Sequence, residues 1–180
     1  MFSFEAWWQI LTTKLPVFFQ GVGTTVELAL YTAIFGTLLG IVVALLRMSR
    51  VKVLKVLAGA YIEFLRGTPL LVQVLIVFYG LPQLGIKLPR MTAGTVALVI
   101  NSAAYMAEIV RSGIQAIDGG QTEASRSLGM NGVQTMVYII LPQAIKNILP
   151  AIGNEFVSII KESSILYTIG IYELTYQANK

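Results

Sequence analysis

The sequence predicts an all-α protein, a polytopic bundle of transmembrane helices with a short helical element between two of them. Three observations carry that prediction. Of 180 residues, 56% are hydrophobic and only 12% are charged, whereas soluble domains carry roughly 25% charged residues. The mean hydropathy is +0.73, and a soluble core of this length cannot hide so much apolar surface. The apolar residues also fall into runs of about 20, the length that crosses a bilayer as a helix.

The same composition excludes several functions. The chain has no cysteine and no histidine, so disulfides, the usual zinc ligands and histidine-based catalytic triads are ruled out. No catalytic residue, cofactor or metal site is predicted. The formal net charge of +4 is scattered between apolar runs. It reads as an orientation signal and not as affinity for nucleic acid.

The first 20 residues are expected to form an interfacial amphipathic segment, because Phe4, Trp7, Trp8, Leu11 and Leu15 recur at helical spacing and tryptophans suit the headgroup layer. Residues 21–180 are then one transmembrane domain. Its first span is expected from Val22 to Leu46, with one acid, Glu27, near its start. The second is expected from Leu57 to Gly80, interrupted at Arg66-Gly67-Thr68-Pro69; the third from Thr92 to Val110; the fourth from Ala144 to Leu166. Arg47, Arg50, Lys52 and Lys55 form the densest cationic cluster, so the positive-inside rule puts that first loop in the cytoplasm and the N-terminus outside. Lys87 and Arg90 fall in an outer loop rich in proline and glycine. Gly36 and Gly40 make a G-x-x-x-G, a spacing that permits close helix contact.

The third connection, Arg111 to Gln143, returns to the cytoplasm. Asp118-Gly119-Gly120 signals a turn, Thr122 to Leu128 a short helix, and Gly129 its left-handed end. Met130 to Leu141 reads as a second short helix, stopped at Pro142. Two helices meeting at Gly129, with few charges, make an elbow suited to a groove on a partner.

Polar side chains inside a span are costly and are functional candidates. Thr68, Asn101, Ser102 and Glu155 are expected at similar mid-depth. Pro69 removes the donor that would meet the carbonyl of Leu65, Gly67 loosens the same turn, and Pro150 frees the carbonyl of Lys146. Hydroxyl, amide, carboxylate and freed carbonyls together suit an α-amino acid near the membrane midplane. Glu155 would meet its ammonium or a cationic side chain, and Arg66 or a helix N-terminus its carboxylate. The competing reading is that Thr68, Asn101 and Ser102 bond neighbouring helices, and that Glu63 and Arg66 pair with each other. A second function class is a proton-coupled secondary carrier or channel with Glu155 and Glu27 as relay carboxylates.

Glu123-Ala124, then Gly129, then Ile139, Leu141 and Pro142 fit the pattern E-A-A, three residues, G, nine residues, I-x-L-P, with Ser125 in place of the second alanine. This resembles the coupling-loop signature of the permease subunits of binding-protein-dependent, ATP-driven importers. "EFLRGTPLLVQ", "NSAAYMAEIVRSGIQAI" and Leu149 to Leu166 resemble the polar amino acid subgroup (histidine, glutamine and arginine type). The resemblance implies a coupling loop over about 115–142, with Glu123, Ala124 and Gly129 as the ATPase contact and its turn. It implies four partners besides the lipid bilayer: an ATP-binding-cassette ATPase, an extracytoplasmic solute-binding protein, a second permease subunit and an amino acid substrate. The chain itself has no G-x-x-x-x-G-K-[ST] phosphate loop. The implied location is a prokaryotic cytoplasmic membrane. The subgroup has five spanning helices, so the chain is expected to lack the last.

Overall fold

The computed structural model describes residues 5, 8 and 10–179. Phe4 and Trp7 of the expected interfacial segment lie outside the described residues, as does the side chain of Leu11. Trp8 is exposed, and its carbonyl accepts a hydrogen bond from Thr12 Oγ1 at 2.8 Å.

Helix α1 (Leu15–Arg47) runs unbroken through residues 15–20, where a separate interfacial segment is expected. Its 33 residues measure about 50 Å, which exceeds a hydrocarbon core of about 30 Å and leaves room for both interfaces on one helix. The buried stripe is made of small residues, among them Thr25, Ala29, Thr32, Gly36, Gly40 and Ala44, while Leu30, Ile34, Phe35, Leu38, Val42 and Leu45 point outward. Large apolar groups outside and small ones inside are the arrangement a bilayer favours, where close backbone approach rather than water exclusion holds helices together.

α2 (Lys52–Gly67) and α3 (Leu70–Leu75) follow, the latter continuing through a wide π turn (Ile76–Gly80) and a 3-10 turn (Leu81–Leu84). The two limbs, Lys52–Gly67 and Leu70–Leu84, meet at 107°. Pro69 sets this bend. It has no N–H to donate and it biases the preceding residue away from helix, and Thr68 and Pro69 both take extended backbone angles.

α4 (Arg90–Gln115) is the central helix. It runs parallel to α1, and the glycines make the contact: a Cβ added at Gly36 would sit 3.0 Å from Ser102 Oγ, and one at Gly40 would overlap Met106 Cβ. Two apolar clusters lie at opposite ends of the pairing. One gathers Leu28, Val74, Ala97, Leu98 and Leu166, the other Val43, Ala44, Ala58, Ile62 and Ala107.

Beyond α4, the short helix α5 (Gly119–Ser127) starts on Asp118, whose Oδ1 accepts from Gly120 N at 2.7 Å. It ends on Gly129, at φ +83°. Met130 N donates to Ser125 O and Gly129 N to Arg126 O, which satisfies the last carbonyls in a Schellman closure. The next helix begins at α6 (Gly132–Gln134) with a capping box between Asn131 and Gln134. It passes through a π turn (Thr135–Ile140) into α7 (Leu141–Glu162) and a 3-10 turn (Ser163–Ile169). Pro142 therefore does not stop a short helix. The π turn immediately before it widens the backbone where the proline ring would strike the preceding turn, and one helix of 38 residues, Gly132–Ile169, results. Nor is Pro150 a break: α7 passes through it. The third connection narrows to residues 116–131, because residues 132–142 belong to the long helix.

The chain ends on α8 (Leu174–Ala178), capped by the buried Glu173, whose carboxylate accepts from Thr175 N at 2.8 Å and Tyr176 N at 2.7 Å. Leu174 N donates to Thr25 Oγ1 on α1 at 3.1 Å. No strand occurs among the described residues. Among the described residues three helices are long and apolar enough to cross a membrane: Thr12–Arg47, Arg90–Gln115 and Gly132–Ile169. The bent α2–α3 pair makes a fourth if it counts as one span.

Candidate functional site: a polar seam at mid-depth

Asn101 and Ser102 occupy the middle of α4, between the two apolar clusters, and both are buried. Neighbours in sequence, they point to different partners. Asn101 Nδ2 donates to Gln73 Oε1 at 3.0 Å on α3. Ser102 Oγ donates to Glu155 Oε1 at 3.0 Å on α7. Glu155 is 8% exposed, and among the described residues no salt bridge neutralises it. A carboxylate at this depth costs several kcal/mol unless it is paired or protonated.

Gln73 is the residue that sequence reasoning missed. Its Nε2 lies 2.8 Å from Leu65 O, 2.9 Å from Thr68 Oγ1 and 3.1 Å from Thr68 O, so two hydrogens are shared among three acceptors. Leu65 O is the carbonyl that Pro69 leaves without a donor. The Gln73 amide supplies that donor from the far side of the bend and accepts Asn101 with its other end. The freed carbonyl expected to face a ligand is thus already occupied, and Thr68 and Asn101 are bound to helices in this structure. The signal was available: an amide within the apolar run Leu70–Leu75, four residues after the proline.

The arginine and its neighbours differ from expectation too. Glu63 does not pair with Arg66, because it is exposed on the side that faces the end of α1 and lies 3.5 Å from Arg47 Nη2. Arg66 instead lays its guanidinium over the ring of Tyr105, 5.2 Å from the centroid, a contact favoured by the ring quadrupole. Tyr61, one turn and a half earlier, donates its hydroxyl to Ile100 O at 2.6 Å and ties α2 to α4 just beside Asn101. Lys146, whose carbonyl Pro150 frees, is exposed on α7. Glu27 is exposed about three turns into α1 and is not part of the seam.

At the elbow, Glu123 and Ala124 are exposed on α5. Ser125 is turned inward and buried. Its Oγ donates to Thr122 O at 2.9 Å and lies 2.9 Å from Thr135 Oγ1 on the following helix. The serine that replaces the usual alanine thus ties the two arms of the elbow together. Leu141 and Pro142 are exposed, Ile139 is half-buried, and the Ile139 carbonyl accepts from Gln143 Nε2 at 2.7 Å.

Comparison with known proteins places this arrangement. Residues 36–180 match the family described as binding-protein-dependent transport system inner membrane component. The arginine transport system permease protein of Bacillus subtilis is 43% identical over 166 residues, covering 92% of this chain and 76% of that protein. A probable glutamine ABC transporter permease protein of the same organism is 43% identical over 171 residues, covering 94% and 79%. Among solved structures, a crystal structure of an amino acid ABC transporter with histidines superposes with a TM-score of 0.92 at 49% identity, covering 99% of this chain and 82% of that one. An inward-facing methionine ABC transporter shares the fold, with a TM-score of 0.74 at 19% identity over 92% of this chain and 80% of that one. With more than two thirds of its length matched to that family and to relatives of this identity, the chain belongs to the inner membrane components of binding-protein-dependent transport systems.

Proposed function

We propose that this chain is the transmembrane permease subunit of an ATP-driven amino acid importer, and that the mid-depth seam is where its substrate crosses. The observation that carries this reading is Glu155: a buried carboxylate whose hydrogen-bond partner, Ser102, adjoins the Asn101 that bonds Gln73 at the bend. A substrate cation, either the α-ammonium or a basic side chain, balances that charge. Arg66 receives the substrate carboxylate. Thr68 and Asn101 form the wall, held in register by Gln73.

The elbow is the ATPase contact in this reading. Glu123 and Ala124 present its outer face, Gly129 makes the turn, and Ile139, Leu141 and Pro142 lie about two to three turns into the long helix that follows; Ser125 fixes the angle from within. ATP is hydrolysed by a separate subunit. An extracytoplasmic solute-binding protein delivers the substrate, and a second permease subunit completes the path. The cluster of Arg47, Arg50, Lys52 and Lys55 supports a cytoplasmic first loop and an outside N-terminus.

The test is Glu155→Gln in the complete transporter reconstituted with its ATPase and binding protein. Substrate-stimulated ATP hydrolysis is expected to disappear while the complex still assembles. Unchanged stimulation refutes the seam as the substrate's seat.

A further inference from the structure

A cavity of about 340 Å³ lies on the cationic face, between the first loop and the elbow. Its wall includes Arg50 from the loop, Thr122 and Arg126 from α5, and Thr135, Met136 and Ile140 from the first turns of the long helix. Two guanidinium-bearing residues therefore line one small space, and no carboxylate lines it. Arg50 takes part in no salt bridge among the described residues, and Arg126 makes one long hydrogen bond, from Nη1 to Met130 O at 3.3 Å. That leaves most guanidinium donors of the pair unspent. Planar forks of this kind match phosphate oxygens, two bonds at a time.

Depth and apolar lining select the form of that phosphate. Arg50 stands three residues beyond the end of α1 at Arg47, where a spanning helix leaves the hydrocarbon. The long helix has 38 residues, about 57 Å, so several of its turns must lie outside a core of about 30 Å. The same turns carry exposed Val133, Val137 and Tyr138, and a tyrosine at such a place suits the headgroup layer. Met136 and Ile140 give the cavity an apolar side that a free anion has no use for.

We propose that this cavity binds the phosphate of an anionic phospholipid, with Arg50 and Arg126 gripping the headgroup and the acyl chains lying along the Met136 side. A lipid held there bridges the first loop and the elbow. Basic pockets between helices at a membrane's charged face are a recurring way of recognising such lipids.

The experiment uses the whole transporter in nanodiscs of phosphatidylcholine with a minor fraction of phosphatidylglycerol, then counts retained phospholipid by native mass spectrometry after mild delipidation. Wild type is expected to retain phosphatidylglycerol in preference to phosphatidylcholine. The double variant Arg50→Gln/Arg126→Gln is expected to lower that retention roughly tenfold. The control Lys52→Gln/Lys55→Gln, which removes equal charge outside the cavity, is expected to keep it. Equal loss in both doubles overturns the proposal, since a diffuse cationic surface then suffices. Displacement by inorganic phosphate alone overturns it in favour of a free-anion site. Loss of the ATPase subunit from the arginine double, with lipid count unchanged, overturns it in favour of an acidic group on that partner. If the arginine double fails to assemble, the wild-type measurement still decides: equal retention of the two lipids refutes the site.

Discussion

Removing the Gln73 side-chain amide tests whether the bend is held together from inside. Gln73→Leu keeps the approximate volume and the apolar setting but deletes every polar contact of the amide. Two of those contacts are fully buried: the bond to Leu65 O at 2.8 Å and the one accepted from Asn101 Nδ2 at 3.0 Å. In membrane proteins a hydrogen bond between helices is worth about 0.6 kcal/mol on average and at most about 1.7. The pair therefore amounts to about 1–3 kcal/mol. The upper part of that range is favoured, because Leu65 O has no alternative donor: Pro69 stands where the next turn's N–H would be. The assay is reversible unfolding in mixed micelles for Gln73→Leu, Asn101→Leu and the double variant. Each single is expected to destabilise, and the double by less than their sum, with a coupling of about 1 kcal/mol. Additivity to within about 0.3–0.5 kcal/mol refutes the idea that Gln73 and Asn101 act as a unit. Gln73→Glu adds a second check. Its ionised form still accepts from Asn101 but cannot donate to Leu65 O, so it is expected to be worse than leucine at neutral pH.

Other substitutions follow from the same geometry. Gly40→Ala places a methyl group against Met106 Cβ and 3.0 Å from Ala103 O, and is expected to cost about 1–3 kcal/mol in thermal or denaturant unfolding, whereas Gly23→Ala, with nothing within 4 Å, is expected to be neutral or slightly stabilising. Ser125→Ala leaves the buried Thr135 hydroxyl without its partner; a loss of about 1 kcal/mol and faster amide exchange across Gly129–Gln134 are expected, and Thr135→Val in the same chain is expected to restore most of it. Glu173→Ala removes both acceptors at the start of α8 and is expected to cost about 0.5–2 kcal/mol, read as local exchange of the Thr175 and Tyr176 amides with the long helices unaffected.

Local chemistry with a local answer was legible in the sequence. Asp118 and Gly129 mark a turn and a helix end because side chain or backbone freedom acts there within three or four residues, whereas the cap at Asn131, inside the helix expected from Met130 to Leu141, emerged only from the structure. Pro69 marks the bend for the same reason. The coincidence in depth of Asn101, Ser102 and Glu155 was also readable, since a helix advances evenly along its axis. Pro142 misled because a proline in a long apolar helix is tolerated when a π turn absorbs it; nothing in the residue itself distinguishes it from Pro69, which has Gly67 two residues before it. The Glu63–Arg66 pair failed because spacing along one helix says nothing of Arg47 and Tyr105 on others. The role of Gln73 was hidden for a related reason. Its partners sit on both sides of a bend of 107°, and only the angle brings Leu65 O, Thr68 and Asn101 around a single amide.

The continuity of the helix from Gly132 to Ile169 has a mechanical consequence. Glu155 is 23 residues from Gly132 on one rod, about 35 Å away. A stiff arm of that length turns angle into distance: a tilt of about 5° pivoting at the elbow end sweeps the carboxylate sideways by about 3 Å, as far as a hydrogen bond is long. Pro150 lies on the arm five residues short of the carboxylate, and with one rung of the ladder missing it is the place where the arm flexes most easily. Replacing Pro150 with alanine would stiffen the arm, so the gearing between elbow and seam can be altered without touching either end.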